Sequence, residues 1–212
     1  MTFVMLLWHW FTRFGESGIV IPMALSTALW WWWATPSRRP LLAWLALLGS
    51  AAFLTLVTKV AFMGWGLGSV SLDFTGLSGH AMLAAAIYPV LLRTLCSPVA
   101  VPPRWAIGAG YALAALVSLS RVIIGAHSGS EVVLGFAVGA AASATALALE
   151  TRQPPPIPRH WLWLGLAAWL TLMPVVAAPS GTHGMVQRLA KKLSDRDQLY
   201  TRADLHRARL PG

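Results

Sequence analysis

The sequence predicts an all-α protein: a polytopic membrane bundle of about six helices, with a short helix ahead of them lying on the membrane surface. Three observations predict it. Hydrophobic residues make up 57% of the chain and charged residues only 11%, where a soluble domain carries roughly a quarter charged. Stretches free of Asp, Glu, Lys and Arg run 17–37, 40–58, 74–92, 105–120, 132–149 and 160–187, and a bilayer crossing needs ~20 predominantly apolar residues, with ~17 sufficient. The connections between these stretches are short and rich in Pro and Gly, the residues that end helices and form turns.

The elements follow in order. The opening "MTFVMLLWHWFTRFGE" has no basic segment before its apolar stretch and no small-residue cleavage site, so it does not read as a cleaved signal peptide. Phe3, Leu7, Trp10 and Phe14 recur at helical spacing instead, as an interfacial helix requires. The spans are expected at about 18–35, 41–63, 79–97, 104–120, 130–149 and 160–178. The fourth is short and gains length by running over Arg104. "WWWW" at 30–33, before "ATPSRRP", reads as an aromatic belt at a helix end rather than a ligand-stacking box, and Trp161 and Trp163 repeat it after Arg159. Gly135 and Gly139 form a small-xxx-small pattern, which close helix packing explains. No internal repeat stands out, so residues 1–178 are expected as one membrane-embedded domain and 179–212 as a basic polar tail.

Charge sorts the remaining classes. The net charge is +9, but seven of the sixteen Lys and Arg lie in the last 25 residues and the others mostly end apolar runs. That is the distribution of orientation signals, not of a nucleic-acid face. The loops after the first, third and fifth spans hold Arg38, Arg39, Arg93, Arg104, Arg152 and Arg159, which puts those loops in the cytoplasm and the opposite loops outside. In a bacterium this means an inner-membrane protein whose site faces the periplasm. The tail, with Arg188, Lys191, Lys192, Arg196, Arg202, Arg207 and Arg209, falls on the outer side by this count and argues the other way. Cys96 is the single cysteine, so neither an internal disulfide nor a cysteine metal cluster is available.

Four polar pieces fall at one mouth of the bundle: Lys59 near the end of the second span, "GLSGH" (76–80) opening the third, Arg121 closing the fourth and "HSGSE" (127–131) opening the fifth. Ionisable groups near hydrocarbon are costly and are read first as functional. Phosphoryl transfer suits this set. Ser78 and Gly79 stand where a helix begins, and a helix N-terminus offers N–H groups and a positive dipole end to an anion. Lys59 and Arg121 add cationic charge, the arginine with a fork that matches phosphate oxygens. His127 and Glu131, four apart, share a helix face if the fifth helix begins there. A carboxylate on one imidazole nitrogen fixes the tautomer and leaves the other free to attack. His80 is the candidate general acid. A metal site built from His80, His127, Glu131 and Asp73 is disfavoured because Lys59 and Arg121 would repel a cation, and no cofactor is expected. Asp73 reads as a turn-former.

Ser120-Arg121, five residues, His127, three residues and Glu131 resemble the third signature of the type 2 phosphatidic acid phosphatase superfamily, whose last residue is aspartate. "LSGH" at 77–80 resembles its second signature, Pro-Ser-Gly-His, and Lys59 stands where the lysine of the first would be. The layout of spans is similar to the membrane-bound branch. The chain departs from the family pattern three times. The first signature's arginine and proline, seven and eight positions after the lysine, are replaced by Gly66 and Leu67, with no Lys or Arg nearby in sequence. Leu77 replaces the proline, with Ser78 still available to cap the helix. Glu131 replaces the aspartate and is one methylene longer. The resemblance implies a metal-independent membrane phosphatase, acting through a phosphohistidine on a lipid monoester or pyrophosphate, with His127 as nucleophile. Phosphatidic acid, phosphatidylglycerol phosphate, a polyprenyl pyrophosphate or a phosphorylated lipid A are the substrate types implied. The alternative is a non-catalytic lipid-binding or transport relative, which the missing arginine favours. A vanadate-dependent peroxidase shares the constellation, but such enzymes are soluble.

Overall fold

In a computed structural model, which describes residues 3–96, 102–150 and 181–207 together with Ala167 and Thr171, the regular elements are helices. They are α1 (Phe3–Arg13), α2 (Ser17–Ala34), α3 (Arg39–Trp65), α4 (Gly79–Cys96), α5 (Pro103–Ile123), α6 (Gly129–Ala148), α7 (Thr182–Ser194) and α8 (Arg202–Arg207). Among the described residues, α3, α4, α5 and α6 are long and apolar enough to cross a membrane. In extent the first five predicted spans coincide with α2 to α6 within a few residues, although α2 is not among the helices apolar enough to cross. The largest difference is in α5. It begins with Pro103 in its first turn, where the missing N–H costs nothing, and runs past Arg121 to Ile123. The sixth predicted span and Trp161 and Trp163 lie outside the described residues, apart from Ala167 and Thr171.

The axis of the bundle is α4. From Ala81 to Leu95 it is buried at nearly every position, and α5 and α6 pack against it far more extensively than any other pair of helices. Glycine makes the α4–α6 approach possible. A Cβ at Gly135 would stand 2.6 Å from the Ser78 carbonyl oxygen, and one at Gly139 would stand 2.1 Å from that of Met82. The small-xxx-small pattern thus brings the second and third turns of α6 against the entry to α4. The core is completed by buried aromatics whose polar ends are satisfied. Trp44 Nε1 donates to the Ala86 carbonyl (2.8 Å) and the Tyr88 hydroxyl to the Phe14 carbonyl (2.6 Å).

The tryptophan run divides. Trp32 and Trp33 are exposed, and Arg38 stacks on Trp32, as a belt requires. Trp31, by contrast, is 2% exposed and donates to Thr94 Oγ1 at 2.7 Å, so it belongs to the core. Along α1, Phe3, Leu7 and Trp10 remain exposed while Thr12 and the following Phe14 are buried against α5. At the C-terminus, α7 packs on α3, with Ala190 buried and Ser194 against Gly64.

Candidate active site

The site is assembled by joints between segments distant in sequence. The Ser78 N–H donates to the Glu131 carbonyl (3.1 Å), joining the start of α4 to the first turn of α6. The Leu77 N–H donates to Thr58 Oγ1 (3.2 Å), joining the same segment to α3 one residue before Lys59. Gly76, at φ +133°, lets that segment pass against the Lys59 backbone. The result is a cavity of about 780 Å³ lined by Lys59, Gly79, His80, Arg121 and His127. Ser78 and Glu131 lie behind this surface, both fully buried.

Glu131 is the organising group. Ser128 is the N-cap of α6 and forms a capping box with Glu131, whose carboxylate returns to the Ser128 N–H (3.2 Å). The same oxygen, Oε2, meets His127 Nδ1 at 2.6 Å and accepts from Arg202 Nη2 at 2.7 Å. Oε1 accepts from the Thr75 N–H (2.6 Å) and the Thr75 hydroxyl (2.5 Å). A buried carboxylate needs such partners, because an unpaired one carries the full cost of desolvation. The arrangement commits His127 Nδ1 as the donor and leaves Nε2 for chemistry. Burial holds the His127 pKa below the ordinary imidazole value of 6.5, against the opposing pull of Glu131, so the ring is neutral at pH 7.

His80 is held differently. Its Nε2 stands 3.5 Å from Glu16 Oε1, without hydrogen-bond geometry. The backbone at Gly15 abuts the ring closely, since a Cβ there would meet the imidazole at 2.8 Å. Arg121 Nη1 donates to Thr12 Oγ1 (2.8 Å), and its buried Nε has no partner among the described residues. Lys59 has no ion-pair partner among them either. The Ser78 hydroxyl makes no cap. It is buried without a hydrogen bond, and only the serine backbone serves the start of α4, its carbonyl accepting from the Met82 N–H. The expectation of a side-chain cap therefore fails, because Gly135 of α6 presses against the Ser78 backbone and fixes it by packing instead.

Sequence reasoning missed five participants: Thr12, Glu16, Thr75, Tyr200 and Arg202. Thr12 and Glu16 flank the turn between α1 and α2, and Arg202 stands 71 positions from Glu131. No spacing rule links such residues. Asp73 does form a turn, at φ +47°, but it also accepts from Arg202 and pairs with His206 Nε2 at 2.8 Å. Gly66 has a plain structural reason. It is the left-handed C-cap of α3 (φ +72°), and a Cβ there would meet the Tyr200 ring at 3.3 Å.

Chemically, the cavity offers a neutral imidazole with one nitrogen committed, a second imidazole, and cations suited to phosphoryl oxygens. Among the described residues, no group of three His, Cys, Asp or Glu side chains could hold a metal ion. The PAP2 superfamily pattern matches residues 57–155, which include Lys59, His80, Arg121, His127 and Glu131. An uncharacterized 22.5 kDa protein in the cps region of Klebsiella pneumoniae is 38% identical over 205 residues, covering 94% of this chain and 98% of that one. No solved structure matches. With its motif-bearing helices converging on one cavity and this likeness along nearly its whole length, the chain belongs to the PAP2 superfamily.

Proposed function

We propose that the protein is an integral membrane phosphatase that hydrolyses a phosphate monoester or pyrophosphate on a lipid through a phosphohistidine. The observation that carries this reading is the 2.6 Å contact of His127 Nδ1 with the buried Glu131, beside a cavity lined by Lys59 and Arg121. His127 Nε2 attacks phosphorus, the bond from phosphorus to the leaving oxygen breaks, and His80 gives that oxygen a proton. Water then attacks the phosphohistidine, His80 takes the proton of that water, and inorganic phosphate leaves. Lys59, Arg121 and the Gly79 N–H balance charge on the phosphoryl oxygens.

The test is phosphate release from lipid monoesters and lipid pyrophosphates in mixed micelles by purified protein. Release that survives exhaustive EDTA treatment and is inhibited by vanadate is expected. Loss on chelation, restored by a divalent metal, would sink the metal-independent mechanism. A second reading, a lipid-binding relative without turnover, draws on Gly66 and Leu67 in place of the family's arginine and proline. Lipid binding with no phosphate release would favour it.

The arginine-rich loops support an outward-facing site in the inner membrane of a bacterium. A cysteine at Ser128 in a Cys96→Ser background should then react in whole cells with a thiol reagent that cannot cross that membrane. Labelling only after the membrane is broken would turn the orientation over.

A further inference from the structure

The family's first-motif arginine is replaced by Gly66, and the space beside Gly66 is filled by the tail. The Tyr200 ring lies on the glycine and its N–H donates to the Met63 carbonyl at 2.9 Å. Two residues later the guanidinium of Arg202 enters the same mouth and joins the cavity wall. Its Nη1 bonds the Asp73 carboxylate, and its Nη2 bonds Glu131 Oε2 at 2.7 Å with Thr75 Oγ1 at 3.4 Å. We propose that Arg202 is a positioning residue for the reaction, supplied by the C-terminal tail to lock Glu131 and, through it, the His127 ring. This rests on the phosphatase reading above.

Two observations carry it. Glu131 is fully buried and Arg202 is one of the few groups holding it, on the very oxygen that holds His127. The fork bridges two carboxylates and a hydroxyl from two separate nitrogens, a span that the single nitrogen of an ammonium covers less well. The tail is thereby a working part of the membrane domain, not an appendage.

The groups acting on His127 are Glu131 from the first turn of α6, Lys59 from α3 and Arg121 from α5. His80, Glu16 and His183 line the same cavity, and Asp73, paired with His206, backs Arg202. Taking a cation away from Glu131 leaves its charge less compensated and favours protonated His127. Full-length protein in micelles carrying Arg202→Ala should therefore lose roughly 10- to 100-fold in kcat, the range for groups that orient a reacting side chain. KM should move much less. The His127 titration, followed by NMR and assigned by its absence in His127→Gln, should shift upward, and the acid limb of kcat/KM with it. Arg202→Lys should recover part of both, and serves if the alanine variant fails to fold. Unchanged kcat, or a loss of kcat with an unmoved His127 titration and no recovery by lysine, would overturn the proposal. The titration needs no turnover. Wild-type protein that releases no phosphate would overturn the phosphatase reading, and the titration would still decide whether Arg202 acts on His127.

Discussion

His127 and His80 each face a carboxylate at the same mouth, yet the two pairs are built to different tolerances. His127 meets Glu131 at 2.6 Å, and that carboxylate is fixed by the α6 cap, Thr75 and Arg202. His80 meets Glu16 at 3.5 Å, and the carboxylate comes from the turn before α2. A nucleophile must hold one tautomer and one direction of attack, since small misplacements cost rate steeply. A group that gives a proton in one step and takes one in the next must exchange it, and tight bonds to both nitrogens would hinder that. The difference in construction matches the difference in task under the proposed mechanism.

Breaking the tight pair at its imidazole should have the largest effect. His127→Ala is expected to lower phosphate release by about 10³-fold or more, as nucleophile deletions do, with the helical circular dichroism retained. More than a few per cent of wild-type release would remove His127 from its role. Breaking the loose pair at its imidazole comes next. His80→Ala should cost ~10²–10⁴-fold, the worth of a general acid. The loss should shrink for a substrate whose leaving group needs no proton, such as a nitrophenyl phosphate. Equal losses on both substrates would assign His80 to binding.

Changes in the carboxylates should separate the two pairs further. Glu131→Asp is expected to cost roughly tenfold, because the shorter chain cannot reach Ser128, Thr75, Arg202 and His127 together. Unimpaired turnover by that variant would show that the mouth readjusts to the family's aspartate. Glu16→Gln should matter least, within about tenfold, since the contact is long. A larger loss than for Glu131→Asp would reverse the ranking of the pairs. The pH profile sharpens the same contrast. His127 must be neutral to attack and burial lowers its pKa, so kcat/KM should fall with acid only below 6.5. An acid midpoint above that value would mean that the ring is more solvated than its burial implies.

Much of this was legible in the sequence. Uncharged runs located α3 to α6 because the membrane demands length and apolarity, both of which are local properties, and marked the bounds of α2 as well. The spacing of His127 and Glu131 announced their pairing, although His127 stands just before α6 and the capping box at Ser128, rather than a shared helix face, turns the carboxylate toward it. The reading failed where packing across the chain decides. Ser78 looked like a cap, yet the approach of Gly135 settles its place without the hydroxyl. Trp31 looked like part of a belt, but Thr94 draws it into the core. The loss of an arginine at Gly66 looked like a bare deficit. Tyr200 and Arg202, far along the chain, give the glycine a reason that no local window contains.

The tail's seat at the mouth also bears on how the molecule comes into being. The membrane helices enter the bilayer in order of synthesis, with the earlier parts folding first. His80 and His127 therefore meet well before Arg202 has been made. During that interval the mouth already has both imidazoles and lacks the guanidinium that joins Asp73 to Glu131. Under the proposed role of Arg202, a chain stopped short of it would carry both imidazoles and lack the cation that fixes Glu131.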